Sequence, residues 1–321
     1  MRVLLWHVHG SWTTAFVSGG HDYLLPVDAG RTADGRGRAD TWEWPASARE
    51  VPLERLRDEH VDVVVLQRPH EVDLVREHLG REVGRDVPAV FLEHNTPKGD
   101  VPTTRHPMAD RDDVPVVHVT HFNRLFWDTG GAPTEVVEHG IIDPGYRYTG
   151  ELERAAVVVN EPVRRGRVTG TDLLPGLSGA APLDVYGMRV EGLPAHLGLG
   201  PDRLAVHEDL PQSAMHAEIP RRRAYVHPVR WTSLGLSLLE AMLLGMPVVA
   251  LATTEAVEAV PPGAGVLSTD PAVLAAAVTR LVQDPELATA MGKDARAAAL
   301  SRYGVERFLA DWDRVLVEVT R

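Results

Sequence analysis

Short runs of Val, Leu and Ala recur along this chain without the apolar–polar alternation of strands that show one face to water. One series comprises Arg2 to Val8, Val61 to Leu66, Ala89 to Leu92, Val114 to Thr120 and Thr134 to Val137. A second comprises Ala155 to Val159, Leu183 to Tyr186, Leu204 to His207, Ala224 to Val226, Pro247 to Ala250 and Gly265 to Leu267. Strands that are apolar on both sides need helices on both faces, which is the condition of a parallel sheet. Two such series predict an α/β fold of two Rossmann-like halves facing each other across a cleft. A chain of 321 residues also exceeds what one core of about 150 residues organises. The turn Asp143-Pro-Gly-Tyr146 places the junction, giving an N-terminal domain of residues 1–145 and a second domain of residues 146–304. Helices are expected over Pro271 to Gln283, Pro285 to Arg302 and Val305 to Thr320.

Charge and composition remove several classes of function. Lys and Arg number 33 against 45 Asp and Glu, a net charge of -12, which disfavours nonspecific nucleic-acid binding and attraction to anionic membranes. The chain has no cysteine, so disulfides, thiolate metal sites and cysteine nucleophiles are excluded. The apolar start Met1 to His9 is too short for a signal peptide, and no run of about 18 apolar residues occurs. These features predict a soluble cytoplasmic protein, and the abundance of Ala, Val, Arg, Gly and Asp resembles proteins of GC-rich bacteria.

The stretch from Trp231 to Ala250 carries the most chemistry. Leu234, Leu236, Leu238, Leu239, Met242 and Leu243 cover most of a short helix, Gly245 stops it, and Val248 to Ala250 continues as a buried strand. Glu240 interrupts this apolar surface. An unpaired carboxylate there costs several kcal/mol, roughly, to bury, so it is expected to reach a cation, water or a ligand with hydroxyl donors. Ser233 and Gly235 lie at the helix start, where free N–H groups and the positive dipole end suit a diphosphate.

From Gly235 through Val249 the sequence resembles family 4 of the retaining GT-B glycosyltransferases, whose signature is a Glu, seven residues, a second Glu, Ala-Met, a Gly-Pro pair and a run of Val. The second Glu falls on Glu240 and the turn on Gly245-Met246-Pro247, whereas the first Glu is replaced by Thr232. The resemblance implies that Glu240 holds the ribose of a nucleotide diphosphate sugar and that Thr232, Ser233, Leu234 and Gly235 line the distal phosphate and sugar. It implies an Arg after the first strand of the second half to neutralise the leaving diphosphate. In Asn160-Glu-Pro-Val-Arg164-Arg165-Gly166-Arg167 that residue matches Arg165, with Arg164 and Arg167 as neighbours in the same loop. His94, in Phe91-Leu-Glu93-His94-Asn95, matches the family histidine near the transferred sugar, so catalytic roles are implied for His94, Arg165 and Glu240. His9, Gly10 and Ser11 occupy the place of the acceptor loop and open a shortened helix. Residues 305–321 are implied to pack back on the N-terminal domain through Phe308, Trp312, Val315 and Val319.

The function so implied is retaining transfer of a sugar to a small-molecule, glycan or glycolipid acceptor, with neither metal nor further cofactor. A nucleotide-sugar 2-epimerase of the same fold and a non-catalytic nucleotide-binding protein, the latter suggested by Thr232 and the shortened first helix, are the alternatives. Other polar clusters read as bland. Arg221-Arg222-Arg223 is expected to form a solvated face, Asp110-Arg-Asp112-Asp113 a solvated acidic turn, and residues 29–40 a loop. His118 and His121 are expected at most to line the cleft, and His7 with His9 lacks a third metal ligand nearby.

Overall fold

The computed structural model describes residues 1–39 and 41–321; Asp40, at the end of the loop-like stretch, lies outside the described residues. The chain divides into two compact units, one of Met1–Ile142 with Val305–Arg321, the other of Asp143–Gly304. Among the described residues no helix is long and apolar enough to cross a membrane.

The first unit is built on a seven-stranded parallel sheet. Its strands are β1 (Arg2–Leu5), β2 (Asp22–Val27), β3 (Ala48–Pro52), β4 (Val63–Leu66), β5 (Ala89–Glu93), β6 (Val116–His118) and β7 (Thr134–Val136), in the order β3-β2-β1-β4-β5-β6-β7. The central strands are buried on both faces because Val and Leu occupy successive positions, as in Val63–Leu66. β3 escapes a reading based on apolar runs. It is an edge strand whose two buried residues, Ala48 and Val51, are separated by Arg49 and Glu50. One face of the sheet is covered by helices Gly10–Val17 and Val305–Val319, where Trp12, Phe16, Phe308, Trp312, Val315 and Leu316 join one core. Trp12 stacks on Phe16 at 4.7 Å and meets Trp312 edge-on at 5.5 Å, geometries that suit the aromatic quadrupole.

The second unit has a six-stranded parallel sheet. Its strands are β8 (Leu152–Val158), β9 (Leu183–Gly187), β10 (Leu204–Glu208), β11 (Arg222–His227), β12 (Val248–Leu251) and β13 (Gly265–Ser268), ordered β10-β9-β8-β11-β12-β13. Helices Pro271–Gln283 and Pro285–Tyr303 start where proline at the first helical position follows an aspartate. Asp270 accepts from the Ala272 N–H at 2.8 Å and Asp284 from the Leu287 N–H at 2.9 Å, satisfying donors that the helices leave open.

Candidate functional site

In the second unit the chain leaves β8 toward β9 on one side and later returns to place β11 on the other. Strand order reverses there, and the crevice beyond the carboxyl ends of such a strand pair is where open α/β sheets hold ligands. Two loops leave this point, and the structure joins them. The backbone N–H groups of Arg230 and Trp231 both donate to Val168 O, at 2.9 and 3.3 Å, and Arg230 Nη1 donates to Arg167 O at 2.8 Å. The loop after β8 therefore lies against the segment that leads into helix Leu236–Leu243.

The three arginines of that loop have different surroundings. Arg164 is paired with Glu161, and Arg167 with Asp172 at 2.8 Å. Asp172 is also gripped by Arg230. Arg165 forms no ion pair among the described residues, although it is half-buried. Burial, and then the like charge of Arg164, hold its pKa below the ordinary guanidinium range. A cation in that state gains most from an incoming anion, because part of the cost of removing it from water is already present in the fold.

Helix Leu236–Leu243 has Gly235 at its N-cap and no side-chain cap; the Leu238 N–H turns back to Gly235 O at 3.0 Å, and the N–H groups of Leu236 and Ser237 are left for another acceptor. Gly235 is required here by close approach. A Cβ on it would strike the His227 ring, which burial keeps neutral with a pKa lowered to about 4. The expected phosphate-facing amides, Ser233 to Gly235, precede the first helical residue. Ser233 and Leu234 are buried and Thr232 is half-buried. The Ser233 carbonyl accepts from the Glu255 N–H at 3.4 Å.

Glu240 lies on the buried side of this helix, only 3% exposed. Its carboxylate does not wait for a ligand: Gln212 Nε2 donates to Oε1 at 2.9 Å and His216 Nε2 lies 3.3 Å from Oε2. Both partners sit on helix Gln212–Glu218, four residues apart and hence on one helical face. Sequence reasoning did not single them out. Their only signal was two polar residues at helical spacing just after β10.

In the first unit the strand order reverses between β1 and β4. His9 follows β1 and Gln67 follows β4, while His94 stands just beyond the neighbouring β5. The His9 and His94 rings are tilted against each other with centroids 4.0 Å apart, and the Trp12 ring meets His94 edge-on at 5.3 Å. Burial holds all of this neutral. It lowers His9 to about 4 and His139 to about 3, and puts His94 well below its usual range, with His9 and His139 as further causes for His94. Gly10 opens the helix where a Cβ would strike the Trp42 ring, and Ser11 is half-buried in the first turn. Beside His94, Glu93 accepts from the Asn95 N–H and from His106 Nε2, at 2.5 and 3.1 Å, fastening the 101–110 segment to β5.

Several expectations need correction. Arg222 and Arg223 are not a solvated face; both are buried in β11. Arg222 binds Asp184 at 2.6 Å and Glu218 at 2.8 Å, and Arg223 binds backbone carbonyls of Gly150 and Val282. Only Arg221 lies outward, paired with Glu151. His118 does not line an opening either. It is fully buried, with both ring nitrogens unpartnered and its pKa lowered to about 3 by burial, whereas His121 is exposed. Asp112 and Asp113 form an exposed turn in which Arg111 binds Asp113, and no group of residues able to hold a metal ion occurs among the described residues.

Residues 193–298 match the family described as Glycosyl transferases group 1. The fold is that of GT-B structures. Sucrose-phosphate synthase of Thermosynechococcus elongatus matches with a TM-score of 0.74 at 16% identity, over 99% of this chain and 98% of that one. HepE of Anabaena, solved in complex with UDP, matches with a TM-score of 0.71 at 15% identity, over 99% of this chain and 100% of that one. A glycosyltransferase of Rickettsia africae gives 0.70 at 12% identity, over 100% and 98%. No curated protein matches the sequence.

Proposed function

We propose that this chain, which carries a glycosyl transferases group 1 domain on a GT-B fold, transfers a sugar from a nucleotide diphosphate sugar to an acceptor with retention of configuration. The observation that carries the reading is the unpaired, half-buried Arg165 in a loop laced to an uncapped helix start at a strand-order reversal. A diphosphate is the ligand that satisfies a guanidinium and helix N–H groups together, and neutralising it as it departs is the largest electrostatic demand of such a transfer. Donor binding thus falls to the second unit, with Arg165 on the diphosphate, the Thr232–Gly235 segment and following amides on the distal phosphate and sugar, and Glu240 on ribose. Arg164 and Arg167 shape the loop through their ion pairs. The first unit supplies His94 near the transferred sugar, and His9, Gly10 and Ser11 on the side of a small-molecule, glycan or glycolipid acceptor.

The donor is found by incubating the protein with UDP-, GDP-, ADP- and dTDP-sugars and following both thermal stability and release of nucleoside diphosphate. A ligand at about 100 times its dissociation constant adds roughly 2.7 kcal/mol to the native state. UDP-sugars come first in the series because the Anabaena neighbour has been solved with UDP and with UDP-glucose. Stabilisation by one nucleotide class with slow hydrolysis is expected, unchanged by EDTA, since guanidinium and amide groups take the place of a divalent cation. Activity that vanishes with EDTA and returns with manganese would show that the charge is offset by a metal. Stabilisation without any turnover would leave a binding protein.

The surroundings of Glu240 give a second expected result. Hydrogen bonds from ribose to a carboxylate are worth about 1.5 to 3 kcal/mol, so Glu240→Gln is expected to weaken nucleoside diphosphate binding roughly 10- to 100-fold by calorimetry. Thr232→Val is expected to leave that affinity unchanged while altering turnover of the intact sugar nucleotide. If Glu240→Gln binds the nucleoside diphosphate as wild type does, the carboxylate serves only Gln212 and His216.

A further inference from the structure

Gln67 was not among the expected site residues, yet its side chain makes two hydrogen bonds that between them decide a protonation state. Its Nε2 donates to the Trp6 carbonyl at 2.7 Å. A carbonyl only accepts, so the amide orientation is settled, and the Oε1 atom is the one that faces His94 Nε2 at 3.0 Å. An amide oxygen likewise only accepts. Nε2 of His94 must therefore carry the hydrogen, and in a neutral imidazole that leaves Nδ1 as a lone-pair acceptor with no hydrogen-bond partner among the described residues.

The surrounding groups keep this arrangement. The Gln67 N–H donates to Oε2 of the fully buried Glu71 at 2.6 Å, and Arg68 Nε donates to Oε1 of the same carboxylate at 2.7 Å, so the turn after β4 is held from below. The titratable groups facing His94 are His9 and His139, both neutral for the reason of burial. An imidazolium is thus disfavoured, and tautomer rather than charge is the open variable.

The geometry points to Gln67 as a positioning residue that locks His94 in its Nε2–H form, so that Nδ1 is presented as an acceptor for a hydroxyl of the sugar being transferred. This rests on the reading of His94 as a sugar-facing residue. In the opposite tautomer the Nε2 lone pair would face the Gln67 oxygen, and Nδ1 would offer a donor where an acceptor is needed, so the two forms differ in what substrate group they recognise. The effect belongs to turnover more than to nucleotide affinity, because the nucleotide is proposed to bind on the other unit.

The test combines long-range proton–nitrogen NMR correlations on the ¹⁵N-labelled protein with donor-sugar turnover, for wild type, Gln67→Met and Gln67→Glu; His94→Gln identifies the resonances. Wild type is expected to show a protonated Nε2 and unprotonated Nδ1 at neutral pH. Gln67→Met removes the acceptor and is expected to give a mixture of tautomers, with kcat down by about tenfold and KM little changed, as for loss of one neutral hydrogen bond made in the transition state. Gln67→Glu keeps an acceptor for Nε2–H but loses, when ionised, the donor to the Trp6 carbonyl and favours a charged ring, so Nε2 is expected to stay protonated while kcat falls. An Nδ1–H form in wild type overturns the proposal, as does Gln67→Met with unchanged tautomer and kcat, or Gln67→Glu with Nε2 unprotonated. If no nucleotide sugar is turned over by wild type, the glycosyltransferase reading fails, while the NMR arm still decides whether Gln67 sets the tautomer.

Discussion

Arg165→Ala is expected to weaken nucleoside diphosphate binding roughly 10- to 100-fold, the loss of one or two charge-assisted hydrogen bonds worth about 1.5 to 3 kcal/mol. Arg164→Ala and Arg167→Ala are expected to change it by less than about threefold, because those side chains are committed to Glu161 and Asp172. Calorimetry with the diphosphate that stabilises wild type makes the comparison, and circular dichroism checks that each variant is folded. Equal losses from all three would mean a diffuse basic field in place of a single phosphate contact. A loss confined to Arg167 would place the anion at the Asp172 cluster. Arg165 also leaves the fold with a cation it does not otherwise use, so Arg165→Ala is expected to lower affinity without lowering stability.

The second large effect is on stability. Arg222→Ala is expected to destabilise the second unit by about 3 kcal/mol or more, because it strips a buried partner from Asp184 and another from Glu218. Asp184 keeps Arg154 at 2.5 Å, which softens the loss but cannot replace the second guanidinium. Arg221→Ala, on an exposed pair, is expected to cost less than about 1 kcal/mol. Urea unfolding followed by a probe within residues 143–304 reads the difference. Indistinguishable midpoints for the two variants would show that the buried pair contributes nothing to holding β9, β8 and β11 together. Neither variant touches the proposed diphosphate loop, so nucleotide affinity of the folded fraction is expected to stay near wild type in both.

How far the chain could be read in advance varied with the kind of interaction. The strands of the second unit were legible because being apolar on both faces is a property of consecutive residues, as in Val248–Leu251. The cap residues Asp270 and Asp284 sit next to the prolines they precede, so helices Pro271–Gln283 and Pro285–Tyr303 were legible for the same local reason. β3 was not, since its buried residues Ala48 and Val51 are separated by Arg49 and Glu50 and form no apolar run. The arginine triplet misled because its solvation depends on acids elsewhere. Arg222 reaches Asp184 across β8, 38 residues away in sequence, and nothing near position 222 reveals it.

The sequence by itself determined two doubly wound parallel sheets, the short helix after Gly235, and the isolated carboxylate of Glu240 within an apolar run. Each follows from spacing within a few residues, which helix and strand periodicity convert directly into a face. Tertiary structure alone decided which arginine of the β8 loop stays unpaired, that Glu240 is met by Gln212 from 28 residues upstream, and which nitrogen of His94 carries the proton through Gln67, 27 residues earlier. Hydrogen bonds and ion pairs act over about 3 Å. Whether two side chains come that close is settled by the order in which strands lie in the sheet, and strand order is not written in any short stretch of the chain.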